Sequence, residues 1–425
     1  MTTNSPKPPR IRYLLMHAYG RGGTVRTVFN QANSLVAAGW DVEIVCALRN
    51  RDELPFPLDE RVPVHTVLDL REGHRQPDPE PARGLAARWR SLRGKAEDLD
   101  APGKEIPVGE FGSRYFTRRV EIALADYLRS LTDGVLVTTR PALNFLSATH
   151  ATNGVVRVAQ EHMNHGTHRP DVQQRIVETY GAFAAVAVLT ERDRDEYARL
   201  LPGTRVVRIP NAVHSLDQVP SDHEAKIVVA AGRLFHQKGF DLLIPAWAKL
   251  VEAYPDWQLR IYGTGEKKAQ LRALVEEHHL YNHVFLMGHC ERLDDELAKA
   301  SVYVLSSRFE GLPMVLIEAM AHALPVVSFD CPTGPADVLT HGVDGLLVPE
   351  QDPDALADAL ARLMADRELR SQMGTAALLT AAAYGPDAVH PRWEALFTEL
   401  TTADRTWLPA PTTAGGSART ARPHR

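Results

Sequence analysis

Phe309-Glu310-Gly311-Leu312-Pro313-Met314-Val315-Leu316-Ile317-Glu318-Ala319-Met320 follows residues 302–306, an apolar run of strand length. A buried strand, a short loop and then a helix is the repeating unit of a parallel sheet, because a parallel neighbour is reached only through a crossover. Pro313 suits the first turn of that helix, where a missing N–H costs no hydrogen bond. Glu310 then lies on the loop, and Glu318 about one and a half turns inside the helix. The residues around Glu318 are apolar, so its carboxylate is costly to bury unless something pairs with it. Hydroxyls of a sugar or ribose would satisfy it; so would a structural ion pair or a helix edge in water.

The same unit recurs along the chain. Strand candidates lie at residues 12–17, 42–46, 62–67, 134–138, 155–159, 186–189 and 206–209, then at 227–231, 258–262, 284–287, 302–306 and 325–328. Helical stretches between them include 25–38, 242–253, 267–279 and 314–323. This alternation predicts an α/β chain with two Rossmann-like halves. Pro210, Asn211, Pro220 and Ser221 mark a linker between them. The expected divisions are a flexible N-terminus at 1–10, a first half at 11–213, a second at 214–385, a helix at 386–405 packing back on the first half, and a disordered tail at 406–425. Residues 71–110, rich in Pro, Arg, Gly and Asp, read as a long insertion.

Of 425 residues, 44% are hydrophobic and 24% charged, enough for sizeable cores, and the net charge of -5 argues against a nucleic-acid partner. Cys46, Cys290 and Cys331 are scattered, which fits neither a disulfide framework nor a zinc site and points to a reducing cytoplasm. Residues 1–10 lack an apolar signal core, and no run is long enough to span a bilayer. Peripheral contact with the inner face of a membrane stays open. Within residues 82–95, Leu85, Trp89 and Leu92 share a helical face beside Arg83, Arg88, Arg90 and Arg93, although a solvated basic loop is the simpler reading.

Two loops are suited to phosphate. Tyr19-Gly20-Arg21-Gly22-Gly23-Thr24 joins the first strand to a helix, so free N–H groups and the positive end of the helix dipole would face a close ligand. In Gly232-Arg233-Leu234-Phe235-His236-Gln237-Lys238-Gly239, Arg233 and Lys238 follow a strand, where α/β sheets bind ligands, and two cations there could clamp a diphosphate. A dinucleotide fingerprint is not met: neither Gly20-Arg21-Gly22 nor Gly263-Thr264-Gly265 has its third glycine, and no P-loop occurs. Asp193-Arg194-Asp195 and Asp352-Pro353-Asp354 spell a metal motif. The former is helical and the latter resembles a helix start, so neither is assigned a metal.

With these motifs in order, the chain resembles glycosyltransferase family 4, most strongly over residues 226–366. The matching segments are Gly232-Arg233-Leu234 with Gln237-Lys238-Gly239, Glu310 and Glu318 with seven residues between them, Leu324-Pro325-Val326-Val327, Asp344-Gly345-Leu346-Leu347-Val348, Gly22-Gly23 and Ile209-Pro210-Asn211-Ala212. The resemblance implies a GT-B fold, two Rossmann-like domains whose parallel sheets face an interdomain cleft. It also implies a retaining hexosyltransferase using a nucleotide sugar, by default UDP-hexose, with a hydroxyl acceptor such as a glycolipid, cell-wall polymer or small metabolite. No resident cofactor and no metal are implied.

By the same resemblance, Arg233 and Lys238 hold the diphosphate and stabilise the leaving nucleotide. Glu318 binds the ribose, and Glu310 faces the donor sugar beside Gly311, Leu312, Pro313 and Leu316. Gly263 joins the donor pocket, and the Gly22-Gly23 backbone closes on the phosphates. His162, with His165 as a weaker candidate, contacts the sugar or positions the acceptor, and Asn211 lies between the domains. A nucleotide-sugar-binding protein without turnover and a GT-B phosphorylase are the other readings; the latter needs a phosphate pocket and usually a lysine-bound pyridoxal cofactor.

Overall fold

The computed structural model describes residues 9–73 and 98–402. Strands β1 (Ile11–Leu15), β2 (Val42–Arg49), β3 (Val64–Asp69), β4 (Val135–Thr138), β5 (Val156–Gln160), β6 (Ala185–Val188) and β7 (Val206–Arg208) form one sheet, ordered β3-β2-β1-β4-β5-β6-β7. Strands β8 (Ile227–Ala231), β9 (Gln258–Tyr262), β10 (Val284–Gly288), β11 (Val302–Leu305), β12 (Val326–Phe329) and β13 (Gly345–Val348) form the second, ordered β10-β9-β8-β11-β12-β13. Every pairing is parallel. Helices cover both faces, so β1, β4, β5, β6, β11 and β12 are buried along their whole length and read as apolar runs rather than alternating ones.

The first helix shows how local sequence aims the site. Gly23–Ala37 buries Val25, Val28, Phe29, Ala32, Leu35 and Val36, the three-and-four spacing of one helical face. It stops where Gly39 takes φ +91 and its N–H, with that of Trp40, bonds back to the carbonyls of Val36 and Leu35. Its start, capped by Gly22, opens at the carboxyl end of β1. The last helix, Pro386–Thr402, puts Val389, Trp393, Leu396, Phe397 and Leu400 into the core beneath β1 and the first helix.

In each sheet the strand order reverses once, between β1 and β4 and between β8 and β11. Loops leaving such neighbours diverge and open a crevice at their carboxyl ends. Loop 232–239 follows β8 and loop 306–313 follows β11, so Lys238 and Glu310 flank the crevice of the second sheet.

Some boundaries differ from the sequence reading. Strand β13 was not among the candidates: it has four residues, begins at a glycine and forms the sheet edge. Gly345 is needed there because a Cβ would sit 2.5 Å from the Val326 carbonyl oxygen. Strand β3 lies two residues later than expected, its apolar pattern blurred by partial exposure. The helix expected at 242–253 is Phe240–Ala248, and Pro313 precedes the helix Met314–Ala321 as its cap. In the expected insertion, residues 98–110 are pinned: the Glu121 carboxylate accepts from the N–H of Lys104 and Glu105, and Asp171 from that of Gly109. The rest of that stretch from residue 74, the basic face at 82–95, residues 1–8 and the tail from 403 lie outside the described residues. Among the described residues, no helix is long and apolar enough to cross a membrane.

Candidate active site

Lys238 and Glu310, 72 residues apart, meet at the crevice of the second sheet, with Nζ donating to Oε1 at 2.6 Å. Ser307 Oγ donates to the same oxygen at 2.6 Å, and Thr333 Oγ1 to the Glu310 carbonyl at 2.7 Å. Gln237 Nε2 bonds the Phe309 carbonyl, and Arg308 makes a fork to Asp241. These contacts stitch loops 232–239 and 306–313 together. The Lys238 stem lies across Gly232, where a Cβ would come 2.9 Å from Cε. Arg233 is exposed, its guanidinium 5.3 Å from the Phe235 ring, and no carboxylate pairs with it among the described residues. One cation of the expected clamp is therefore open to an anion, and the other is held ready by a carboxylate.

Glu318 sits on Met314–Ala321 with its side chain 14% exposed and receives no hydrogen bond from a described residue. Its charged neighbour comes from the other half: Arg26 Nη1, on the first helix, is 3.6 Å from Oε1. Burial raises the Glu318 pKa to about 7, against the pull of Arg26.

The two halves also touch through backbone. A Cβ on Gly311 would lie 2.7 Å from the carbonyl oxygen of His162, which follows β5. Ala at Gly311 should push that contact apart by a few tenths of an ångström and lower kcat by roughly tenfold, with the melting temperature nearly unchanged. Steady-state kinetics beside thermal melting checks this; an unaltered kcat would contradict it. Burial lowers the His162 pKa to about 4, so its ring is neutral at neutral pH and can exchange hydrogen bonds but not act as a cation.

At Gly22 and Gly23 an added Cβ would meet nothing within 4 Å. Packing therefore does not require glycine there; it leaves the helix start open to close approach. Gly263 is different, since φ +145 and a Cβ 1.8 Å from the Gly232 carbonyl oxygen make glycine a packing necessity. Leu316, fully buried, and Leu312 belong to the core of the second half, so the Leu316 side chain offers no surface to a ligand. Pro313 and Asn211 are also buried. His165 Nδ1 lies 3.3 Å from Glu196. Asp193 accepts from Asn164 and Thr190, and Asp352 caps Pro353–Ala365, so both have structural uses.

The family model for glycosyl transferases group 1 matches residues 215–379. The amylovoran biosynthesis glycosyltransferase AmsD of Erwinia amylovora is 31% identical over 241 residues, 55% of this chain and 67% of that protein. The chain belongs to this glycosyltransferase family. Exopolysaccharide phosphotransferase SCO2592 of Streptomyces coelicolor is 34% identical over 398 residues, 92% of this chain, which spans only 41% of that protein's length. Among solved structures, a variant of S. aureus TarM in complex with fondaparinux, alpha-GlcNAc-glycerol and UDP superposes with TM-score 0.70 at 17% identity, covering 92% of this chain and 99% of the other. The glycosyltransferase fold is GT-B, two parallel sheets with surrounding helices.

Several residues of the glycosyltransferase's crevice were not singled out by the sequence reading. Glu161 is 2% exposed, accepts from Asn144 Nδ2 at 2.7 Å and from the Tyr180 hydroxyl, and lies 3.9 Å from His168. Burial pushes its pKa up to about 8. The network fixes the chain just before His162. Cys331 is buried near Glu310 and Lys238, and burial pushes its thiol up to about 12. Arg26 did carry a signal: a cation near a helix N-terminus opposes the dipole and calls for an outside partner.

Proposed function

We propose that this glycosyltransferase is a retaining hexosyltransferase that takes its sugar from UDP-hexose. The observation that carries this reading is the Lys238–Glu310 pair at the strand-order reversal of the second sheet, with the next residue, Gly311, against the His162 carbonyl of the first half and Glu318 on the helix that follows. As the bond between the anomeric carbon and the diphosphate oxygen breaks, positive charge grows on the sugar and negative charge on the diphosphate. Lys238, Arg233 and the helix start at Gly22–Gly23 are fixed positive groups for that anion, and preorganised charge needs no rearrangement when the bond breaks. Glu310 orients the sugar hydroxyls, and Glu318 takes the ribose diol.

The acceptor hydroxyl attacks the face from which the diphosphate departs, and its proton passes to a departing phosphate oxygen. This preserves the anomeric configuration without an enzyme nucleophile. Closure about Asn211 and the linker excludes water, which would otherwise intercept the sugar. The proposed acceptor is a hydroxyl of an extracellular or cell-wall polymer, in line with the exopolysaccharide and amylovoran names of the two relatives, and the proposed location is the cytoplasm at the membrane's inner face.

The test is a panel of nucleotide sugars with the released nucleotide identified by chromatography. Glycosyl transfer leaves both phosphates on the nucleotide and releases UDP. Transfer of a phosphosugar would cleave the anhydride and release UMP. UDP release dependent on an acceptor or water is expected; UMP release, or no turnover with any donor, would overturn the proposal.

A further inference from the structure

Three features pose one question. The Glu318 carboxylate lies on an apolar helix, nearly buried, yet no described side chain or backbone group donates a hydrogen bond to it. Its nearest cation, Arg26, belongs to the other half of the molecule and stands at 3.6 Å, close enough for charge attraction but outside direct hydrogen bonding. Arg26 itself is 40% exposed in its side chain, its guanidinium 5.8 Å from the Phe56 ring, on a helix whose N-terminal dipole disfavours a cation. An unfavourably placed cation is thus held against an unsatisfied carboxylate across the crevice.

We infer that Arg26 is a positioning residue of the nucleotide site, which holds Glu318 in its anionic form so that both carboxylate oxygens can accept the vicinal hydroxyls of a ribose. This rests on the reading of Glu318 as the ribose ligand. A carboxylate offers acceptors to both hydroxyls of a diol, whereas a carboxylic acid spends one oxygen as a donor. Because the Arg26 contact is not a hydrogen bond, it supplies charge without occupying those oxygens. One consequence is that nucleotide binding depends on both halves: a lobe movement that withdraws Arg26 weakens Glu318 as an acceptor.

The other groups facing Glu318 set the sign. Asp294, on Leu293–Ala298, favours the protonated form. Asp294 is itself engaged by His214 Nε2 at 3.1 Å and His322 Nε2 at 3.4 Å. Both Glu318 and Glu310 act on Tyr303 of β11, but burial keeps that phenol neutral. Arg26 is thus the group that opposes burial. Glu318 titrates near neutrality, at about 7, so it is the anion above that pH and loses acceptor capacity below it. Without Arg26 the transition moves up.

The experiment is calorimetric titration of the whole protein with UDP at pH values from about 6 to about 9, for the wild type and for R26A, R26K and E318Q, each checked by thermal melting. Dividing each variant's affinity by the wild type's at the same pH removes the ionisation of UDP itself. R26A should bind about fivefold more weakly at pH about 7, as a carboxylate loses a nearby cation and its pKa rises by roughly one unit. The deficit should close by pH about 9, and R26K should follow the wild type. A deficit equal at all pH values, or none, overturns the inference while leaving Glu318 as the ribose ligand if E318Q is weak throughout. E318Q binding as tightly as the wild type overturns the ribose reading, and the role of Arg26 with it.

Discussion

Replacing Lys238 by alanine should lower sugar transfer about a hundredfold, the scale for deleting one preorganised charge that faces the departing group. Two physical effects would contribute, and they can be separated. The first is loss of the cation at the diphosphate. The second is a stranded Glu310 carboxylate, 7% exposed, whose partner is gone while Ser307 alone still donates to it. In the double variant K238A/E310Q the stranded charge is removed. If the cation acts on the diphosphate, UDP binding stays weak in the double variant; if the stranded carboxylate were the cause, UDP binding would recover, since Glu310 is assigned to the sugar and UDP carries none. K238R should retain part of the activity, because charge is kept while the guanidinium fork fits the crossing over Gly232 poorly. Transfer rates across this set, with UDP affinity measured alongside, decide between the two.

Glu161→Ala should destabilise the fold by about 3 kcal/mol, since it takes the buried acceptor from the Tyr180 hydroxyl proton and from one Asn144 amide proton, while Asn144 Nδ2 still donates to the Tyr180 oxygen. Glu161→Gln keeps a group of the same shape and should cost far less, but it should change how stability depends on pH. Burial raises the folded pKa of Glu161 to about 8, against 4.5 for the unpaired group. Between those values the folded protein holds a proton that the unfolded chain has released. The contribution is therefore fully present below the unfolded value and is lost as pH rises through about 8, at roughly 1.4 kcal/mol for each pH unit crossed. His162 and His168, both lowered to about 4 by burial, act in the opposite sense and add stability as pH rises from about 4 toward 6.5. The difference between wild type and E161Q isolates the glutamate. Chemical denaturation at stepped pH should show the wild type losing stability relative to E161Q from pH 5 upward; parallel curves would contradict a buried protonated Glu161.

The central strands were legible because burial on both faces leaves short apolar runs that differ sharply from the helical periodicity beside them. Strand β8 matches the sequence reading end to end, and β9 does too, although its buried Leu259 and Ile261 alternate with partly exposed Gln258 and Arg260. Edges were less legible: β3 mixes exposed and buried positions, and β13 has too few residues to stand out from a loop. In the crevice, sequence named Lys238 and Glu310 separately and gave them different partners. Their ion pair depends on β8 lying next to β11, a long-range adjacency that no local pattern encodes. Glu161 was hidden for a related reason. Its partners Asn144 and Tyr180 sit on different helical segments, so its chemistry exists only after the first sheet has formed. Arg26 lies in sequence close to the Gly22–Gly23 loop, yet its partner is 292 positions away, in the other half.

The proposed sugar transfer turns on a pyrophosphate meeting positive side chains of the second half across the crevice. A crystal structure of the protein with UDP tests that most directly. The expected result is a diphosphate within hydrogen-bonding reach of Lys238 Nζ and the Arg233 guanidinium, with the ribose hydroxyls on Glu318. A diphosphate bound elsewhere, with Lys238 still engaged only by Glu310, would contradict it.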